Sequence, residues 1–370
     1  MLHNQRGMAM PLVLTVMFVL SLFGVTVWQF AATDVLHVER DELKMQAHYL
    51  ARSGGDAMAD YLMRTADVQV AHSVITRTDE HSPATGSLGQ DKTFRVNVIG
   101  SPMNSMTIIS QGIRNGVTRT LAFDLTRLDA REIFNKGIFT KGDLDVSLMS
   151  PLSGTLASAG EVTAPPGYDE TLLYPHEPWV WEYGEPKFPE DVIWADPHHG
   201  LNPYVTNQQP ITIRGEYYYS TIDMESDAHL TFDTSDYAGS AMRVVVDRMY
   251  CKGDVTVVGG GQLHLYVREL LSLQTPILVN NDPSKLFIFL KDGAHLDMRA
   301  DGELYAYIFG PNADIHIQSE HSTVVGSIVG NLVLRQQDID RSQGGFIHIP
   351  LEEGGILDAV VVYRRGPWRD

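Results

Sequence analysis

Three hydrophobic patterns follow one another along the chain, and each predicts a different kind of structure. The first is an apolar run over residues 8–32, inside a stretch from residue 7 to 33 that has no charged side chain. About 20 apolar residues suffice to cross a bilayer, so the run predicts a membrane-spanning helix. Arg6 precedes the run and Asp34 begins a charged segment after it. The positive-inside rule therefore predicts a cytoplasmic N-terminus, with the remainder outside.

Two other interpretations of this run remain open. A secretory signal combines a short apolar region with a small-x-small cleavage site, and Ala31 and Ala32 supply small residues at the end of a longer run. A plain single-span anchor needs only the length.

The apolar run passes into an amphipathic pattern with a period close to 3.5 residues, which predicts that the helix continues. Its stripe consists of Leu36, Leu43, Ala47, Leu50, Gly54, Ala57 and Tyr61. Pro11 lies in the first turn, where its missing N–H costs little. We therefore predict one helix from Met8 to about Arg64, about 85 Å long at 1.5 Å per residue. A free-standing coiled coil is the alternative, and the pair at residues 54–55 disfavours it because glycine weakens a lone helix.

A second pattern, of alternating apolar and polar residues, predicts a small antiparallel sheet after the helix. Residues 92–99 alternate as a half-buried strand does. Residues 105–114 and 117–127 flank the pair Asn115-Gly116. An Asn-Gly pair between two strand patterns is the strongest short hairpin signal.

The third pattern begins at Ile138, where short apolar triplets recur among Gly, Asp and Asn residues. One series starts at Val244, Leu263, Leu286, Leu304 and Val324. A second starts at Val255, Ile277, Leu296, Ile315, Leu332 and Ile347. Two interleaved ladders at about 20 residues predict a β-solenoid in which every rung carries at least two strands. A β-sandwich is the alternative, because short strands with turns also describe it.

Residues 151–210 interrupt the triplets and hold ten of the 18 prolines and three of the five tryptophans. Flexible linkers lack large aromatic residues, so we expect an ordered, extended strap laid over the solenoid or the small sheet. A partner-binding arm is the alternative interpretation of this segment.

Composition narrows the classes of function. The chain has 370 residues, with 28 Lys and Arg against 46 Asp and Glu, a net charge of −18. Such an acidic chain is a poor nonspecific ligand for nucleic acid, so we expect no nucleic-acid partner. The single cysteine, Cys251, excludes an internal disulfide framework and any multi-cysteine metal site.

Two groups of residues are candidates for chemistry in the solenoid. His316 and Asp297 should point outward one rung apart, within reach of a metal ion shared with a neighbouring residue. We prefer the interpretation that they are solvent-facing residues on a polar sheet. Asp223, Glu225 and Asp227 alternate as if on one strand face, and paired carboxylates can cleave polysaccharides. The motifs G-x-S-x-G, P-loop and H-E-x-x-H are absent from the sequence. We therefore predict no enzyme activity, no cofactor and no metal.

The polar leader NQRG, directly before MAMPLVL, resembles the cleavage site of type IV prepilins. The resemblance implies that a membrane peptidase cuts between Gly7 and Met8 and methylates the new amine. The stretch AHYLARSGGDAMADYL is similar to a segment of PilX-type minor pilins, and TIISQGIRNGVTRTLAFDL is similar to their hairpin. The solenoid resembles β-helical C-terminal domains that are sometimes fused to such N-termini.

One position departs from the pilin pattern. Major pilins usually carry Glu at the fifth mature residue, which here is Leu12. PilX-type minor pilins and the K-type pseudopilin of type II secretion also tend to lack this carboxylate. The resemblance therefore implies a rare subunit at the tip, or one that primes assembly, rather than a bulk filament subunit.

The expected organisation follows from these patterns and from the resemblance. It comprises a prepilin leader (1–7), a transmembrane and amphipathic helix (8–66), a small pilin-like antiparallel sheet (67–128) and a β-solenoid head (129–365) with the Pro/Trp-rich insertion (151–210). The fold class is thus α+β. The expected partners are other minor and major pilins, the prepilin peptidase and the inner membrane, with a surface or glycan ligand for adhesion left unidentified. Two other functions stay open: a membrane-anchored polysaccharide-active β-helix enzyme and a bactofilin-like self-polymerising scaffold.

Overall fold

A computed structural model of the chain contains the predicted long helix, small antiparallel sheet and β-solenoid. It describes residues 9–65, 68–78, 82–177, 185–189, 191–194, 204–319, 321–334, 344–351 and 363–369. The predicted α+β fold class is confirmed, and the strands of the head stack in parallel as a solenoid requires.

Helix α1 spans Ala9–Thr65 without interruption, which confirms the predicted single helix. Its second half buries a stripe of small and apolar residues against the small sheet. The buried positions are Ala47, Leu50, Ala51, Gly54, Gly55, Ala59 and Leu62. The predicted stripe is wrong at Leu36, Ala57 and Tyr61, which are exposed. A straight helix repeats every 3.6 residues, so its buried face drifts away from a 3.5-residue pattern.

The small sheet begins with four antiparallel strands in chain order. They are β1 (Ala84–Ser87), β2 (Lys92–Gly100), β3 (Ser105–Arg114) and β4 (Val117–Arg127). The predicted hairpin is confirmed: Arg114 pairs with Val117, and Asn115 and Gly116 have φ of 46° and 78°. Two positive φ angles are what the favoured two-residue hairpin turn requires. A short helix that the sequence reading missed, α2 (Val68–Arg77), follows α1.

The close approach of α1 to the sheet depends on small residues on both sides. Gly112 of β3 lies against the helix, where a methyl group would overlap the carbonyl oxygen of Ala47 and lie 2.5 Å from the backbone nitrogen of Ala51. On the helix, Gly54 lies beneath the ring of Phe94. The apolar core of this unit includes Ala59, Leu62, Val96, Val98, Met106, Ile108, Phe123 and Leu125.

The solenoid is built from parallel strands that bury an aliphatic core. Its early strands are β5 (Ile138–Thr140), β6 (Leu144–Asp145), β7 (Leu152–Ser153), β8 (Leu156–Ser158), β9 (Val162–Thr163), β10 (Leu173–Tyr174), β11 (Ile193–Trp194), β12 (Tyr204–Val205) and β13 (Ile211–Ile213). The later strands are β14 (Tyr217–Met224), β15 (His229–Asp233), β16 (Ala241–Cys251), β17 (Asp254–Val258), β18 (Gln262–Leu273), β19 (Ile277–Leu278), β20 (Leu286–Leu290), β21 (His295–Met298), β22 (Gly302–Ile317), β23 (Ser322–Leu334) and β24 (Gly345–His348).

Most of these strands form three faces, and β6 pairs with β9 in a separate two-stranded sheet. The first half of β18 pairs with β20 and its second half with β21, so the long strands turn from a first face onto a second. Strands β13, β15, β17 and β19 form the third face. The second predicted series is therefore wrong as a single ladder. Val255 and Ile277 lie on the third face. Leu296, Ile315 and Leu332 lie on the second face. Ile347 lies on β24, beside Val325 of β23.

The order of the rungs in space differs from their order in sequence. The first face runs β10-β8-β5-β23-β22-β20-β18-β16-β14-β11. Strands β5, β8 and β10 thus stack on β23, the last long strand, and not on β14. Residues 151–174 supply rungs of the solenoid, so the expectation that they interrupt it is wrong.

Residues 175–192 connect the two ends of this stack. Nine strand steps separate β10 from β11, about 43 Å at 4.8 Å per step. The 19 residue-to-residue steps from Tyr174 to Ile193 span about 60 Å when the chain is extended. Phe188 lies over Tyr266 of β18 with ring centroids 5.4 Å apart, and Asp191 is ion-paired with Arg243 of β16. The described part of this segment is therefore a strap that crosses successive strands of the first face.

The C-terminal residues return to the small sheet. Strand β25 (Tyr363–Arg365) pairs antiparallel with β4, although the sequence reading placed these residues in the solenoid. Tyr363 is buried and its hydroxyl donates to the carbonyl of Pro102 at 2.9 Å. Trp368 packs on Phe123 with ring centroids 4.4 Å apart, and Arg365 bonds to Asp56 of α1. In sequence, the solenoid is thus inserted between two neighbouring strands of the small sheet.

Candidate functional surfaces

The first half of α1 is an exposed apolar surface. From Val13 to Val38 the large apolar side chains are exposed, Trp28 and Phe30 at 72% and 73%. The hydroxyl groups of Ser21, Thr26 and Thr33 donate to carbonyls of the same helix, as from Thr26 to Leu22 at 2.8 Å, so these three donors need no outside partner. Within the described part of the chain, α1 is the one helix long and apolar enough to cross a membrane. Length and composition alone also fit a signal sequence.

The predicted processing residues, Gly7 and Met8, lie outside the described residues, which begin at Ala9. The backbone of Leu12 belongs to α1, and its side chain is outside the description. Cleavage after Gly7 and methylation of Met8 therefore stay predictions.

The outward side of the solenoid's second face is polar, and it brings the predicted pair His316 and Asp297 together. These residues pair across β21 and β22, with His316 Nδ1 3.5 Å from Asp297 Oδ1. The same two strands pair His295 with Asp314, whose Nδ1 and Oδ2 lie 3.7 Å apart. The sequence reading missed Asp314. The signal for it in the sequence is the order of residues in the segments HLD (295–297) and DIH (314–316). When these segments are stacked in register, each histidine lies opposite an aspartate.

The alternating carboxylates do not share a strand face as the sequence suggested. Only Asp223 belongs to a strand, β14, and Lys252 Nζ lies 2.9 Å from its Oδ1. Glu225 and Asp227 lie in the turn between β14 and β15. The glycosidase hypothesis needs two carboxylates that face one substrate, and this arrangement gives it no support.

Cys251 is fully buried among the aliphatic residues of the solenoid core, as expected for a structural thiol. Burial raises the pKa of its thiol above the usual range. The reactive form of cysteine is the thiolate, so we assign Cys251 a packing role.

The outward side of the first face is apolar and covered, a feature the sequence reading missed. One ladder of neighbouring positions consists of Tyr218, Val245, Tyr266, Phe289, Phe309, Val329, Phe139 and Ala157. Phe134 covers it from the segment that follows the small sheet, and Phe188 covers it from the strap. We call this surface the aromatic face. Its signal was the unbroken apolar run of β20, which is typical of a strand buried on both sides.

His264 lies within the aromatic face, between the rings of Phe287 and Phe289 at centroid distances of 5.1 and 5.4 Å. Burial lowers its pKa from 6.5 to about 4, and the Arg243 cation lowers it in the same sense. As the pH falls, His264 is therefore protonated at a higher pH in the unfolded chain than in the folded chain. Its contribution to stability is complete above pH 6.5 and is lost as the pH falls toward 4.

We therefore expect His264→Gln to flatten the acid dependence of stability. Between pH 7 and 4.5, the wild-type free energy of unfolding should fall by about 2–3 kcal/mol more than that of the variant. Urea unfolding at both pH values measures the difference. The control is His229→Gln on the third face, where the side chain is 62% exposed. Equal acid dependence in wild type and His264→Gln would contradict the assignment.

Comparisons with known proteins give a family match to part of the chain and a distant structural alignment. Residues 197–346 match a family model described as a domain of unknown function, DUF7305. No curated protein sequence matches the chain. A crystal structure of the competence-associated pilin ComZ from Thermus thermophilus aligns with 88% of this chain and 97% of its own, at 10% identity and a TM-score of 0.24. At that TM-score the alignment carries no weight in assigning fold or function.

Proposed function

We propose that the chain is a non-enzymatic, minor pilin-like subunit that presents a large β-rich head. Helix α1 carries the proposal. It runs unbroken for 57 residues. Its first half is exposed and apolar, and its second half packs beneath an antiparallel sheet. A plain membrane anchor requires only the apolar half of the helix. It does not require that the helix continue without a break beneath an antiparallel sheet.

The helix surface suits both environments that a pilin helix occupies. Apolar side chains are exposed on all sides between Val13 and Val38, so the segment is stable in lipid and can pack against similar helices after it leaves the bilayer. The proposed sequence of events is cleavage after Gly7, methylation of Met8 and transfer of the helix into a filament with other minor and major pilins. The head then lies outside the inner membrane, on a pilus or the cell surface.

A tip or priming position fits the head and the helix better than a position along the shaft. In the described part of the chain, the first face of the solenoid stacks ten strands in order, which gives a stack about 43 Å long at 4.8 Å per step. Repetition of such a head along a thin filament is sterically costly. Leu12 also leaves the helix without the carboxylate that usually pairs with a neighbouring pilin's N-terminal amine.

Two alternatives are less well supported. A polysaccharide-active enzyme needs converging carboxylates, and Asp223 is instead ion-paired with Lys252. A self-polymerising solenoid needs end strands that pair with another copy. The end strands here, β10 and β11, have two residues each, and very short edge strands disfavour such pairing.

The mass of the N-terminus tests the proposal. We expect co-expression with a prepilin peptidase to remove residues 1–7 and leave a methylated Met8. Gly7→Val should abolish this cleavage, because the resemblance places the cut directly after Gly7. Intact mass and N-terminal peptide mass spectrometry measure both results.

Two controls make the outcome specific. Gly24→Val alters a glycine of α1 with open space around it and should leave processing unchanged. An inactive peptidase should leave residues 1–7 in place. Cleavage near Ala32, or retention of residues 1–7 beside an active peptidase, would contradict the pilin assignment and favour a secreted or simply anchored head.

A further inference from the structure

Two adjacent rungs of the second face place histidine and aspartate in a checkerboard. On β21 His295 precedes Asp297 by two residues, and on β22 Asp314 precedes His316 by two. The register pairs His295 with Asp314 and Asp297 with His316. Because alternate residues of a strand point to the same side, all four side chains leave the solenoid on its outer surface.

Three of these side chains converge. One nitrogen from each of His295 and His316 and one carboxylate oxygen of Asp314 lie within 4.8 Å of one another. Ligand atoms around a tetrahedral zinc ion lie about 3.3 Å apart, as follows from metal–ligand distances of about 2.0–2.2 Å. Small side-chain rotations bring the ligand atoms from these separations to about 3.3 Å. The 50% exposed side chain of His295 has room to rotate, and the strand pairing holds the backbones of all three residues in place. We propose that His295, Asp314 and His316 bind a divalent transition-metal cation of the zinc type.

Neighbouring residues support the ligands in the way that metal sites require. The side-chain nitrogen of Asn331 donates to Asp314 Oδ1 at 2.8 Å, which orients this carboxylate beside His295. Asp297 faces His316, and Gln318 donates to Asp297 Oδ1 at 3.3 Å. A carboxylate beside a ligating histidine fixes its ring and raises its basicity, so Asp297 supports the site without being a ligand.

The donor set selects the class of metal. Two imidazoles and one carboxylate suit zinc, nickel or copper, whereas calcium and magnesium prefer sites made of oxygen atoms alone. Three protein ligands leave a fourth tetrahedral position open. On an outward face of the head, a water molecule or a donor atom from another molecule can occupy that position.

Isothermal titration of the full chain with Zn²⁺ tests this inference. The protein is kept in detergent and purified without a histidine tag. We expect one ion per chain, bound at micromolar or lower concentration and undisturbed by excess Ca²⁺. His316→Ala should weaken binding at least 100-fold, and Asp297→Asn about 10- to 100-fold through its supporting role. Zn²⁺ should also raise the Tm of the wild type and not that of His316→Ala.

The third face provides a matched control. His229 pairs with Asp254 across β15 and β17, with Nδ1 and Oδ2 3.3 Å apart, and the described structure shows no converging third ligand there. His229→Ala should therefore leave Zn²⁺ affinity unchanged. His295→Ala serves as a second ligand variant, because its side chain is 50% exposed and its removal leaves the core intact. Absence of binding, or binding that survives both ligand variants, would overturn the site, whatever the outcome of N-terminal processing.

Discussion

Gly112→Ala should detach helix α1 from the small sheet and lower the free energy of unfolding by at least about 3 kcal/mol. The added methyl group would overlap the carbonyl oxygen of Ala47 and approach the backbone nitrogen of Ala51. These are backbone atoms of a long helix and cannot rotate away as a side chain would. Relief requires that helix and sheet separate, which opens the core that they share. Thermal and urea unfolding of the full chain in detergent measure the loss.

Gly260→Ala is the matched control, because its new methyl group would have its nearest neighbour at 3.7 Å, an ordinary contact. We expect this variant to stay within about 0.5 kcal/mol of wild type. Equal stability of the two variants would mean that α1 does not lie as close to β3 as the structure places it. The packing of helix and sheet at the base of the head would then have to be reconsidered.

Phe134→Ala should lower the free energy of unfolding by about 3–5 kcal/mol. The ring is fully buried and covers the aromatic face, with centroids 6.2, 5.2 and 6.3 Å from Phe287, Tyr307 and Phe309. Its removal leaves a cavity and exposes a surface that belongs to several rungs. Urea unfolding measures the loss.

The control for Phe134 is Leu278→Ala on the third face, where the side chain is 50% exposed. We expect that truncation to cost less than about 1 kcal/mol. A small effect of Phe134→Ala would show that the segment after the small sheet does not pack on the solenoid. The sheet and the head would then be joined only through the chain.

The sequence predicted those parts of the fold that local periodicity determines. Continuous helix α1 followed from an apolar run that passes into a helical stripe. The hairpin followed from Asn115-Gly116, because two positive φ angles favour those residues. His316 and Asp297 were recognised as neighbours because the alternation of inward and outward residues is strict within each rung.

Other features depend on contacts between distant parts of the chain, and no local pattern encodes them. Nothing near Ile138 indicates that β5 pairs with Ile328 of β23, almost 200 residues later. The three-residue strand at Tyr363 is too short for alternation to be recognised. The apolar run of β20 indicates a strand buried on both sides, but nothing local identifies what covers it, because Phe134 and Phe188 come from segments without a strand pattern of their own.

The insertion of the head between β4 and β25 orders the events of biosynthesis. The small sheet stays open at β4 until Tyr363 has been synthesised, about 235 residues after Arg127. Closing so long a loop in an unfolded chain costs about 5 kcal/mol. A folded solenoid reduces that cost, because Leu128 before it and Leu351 near its end pack in the same cluster. A chain that ends before Tyr363 would leave the edge of β4 unpaired there, so pairing of β25 with β4 requires that the whole solenoid has been synthesised first.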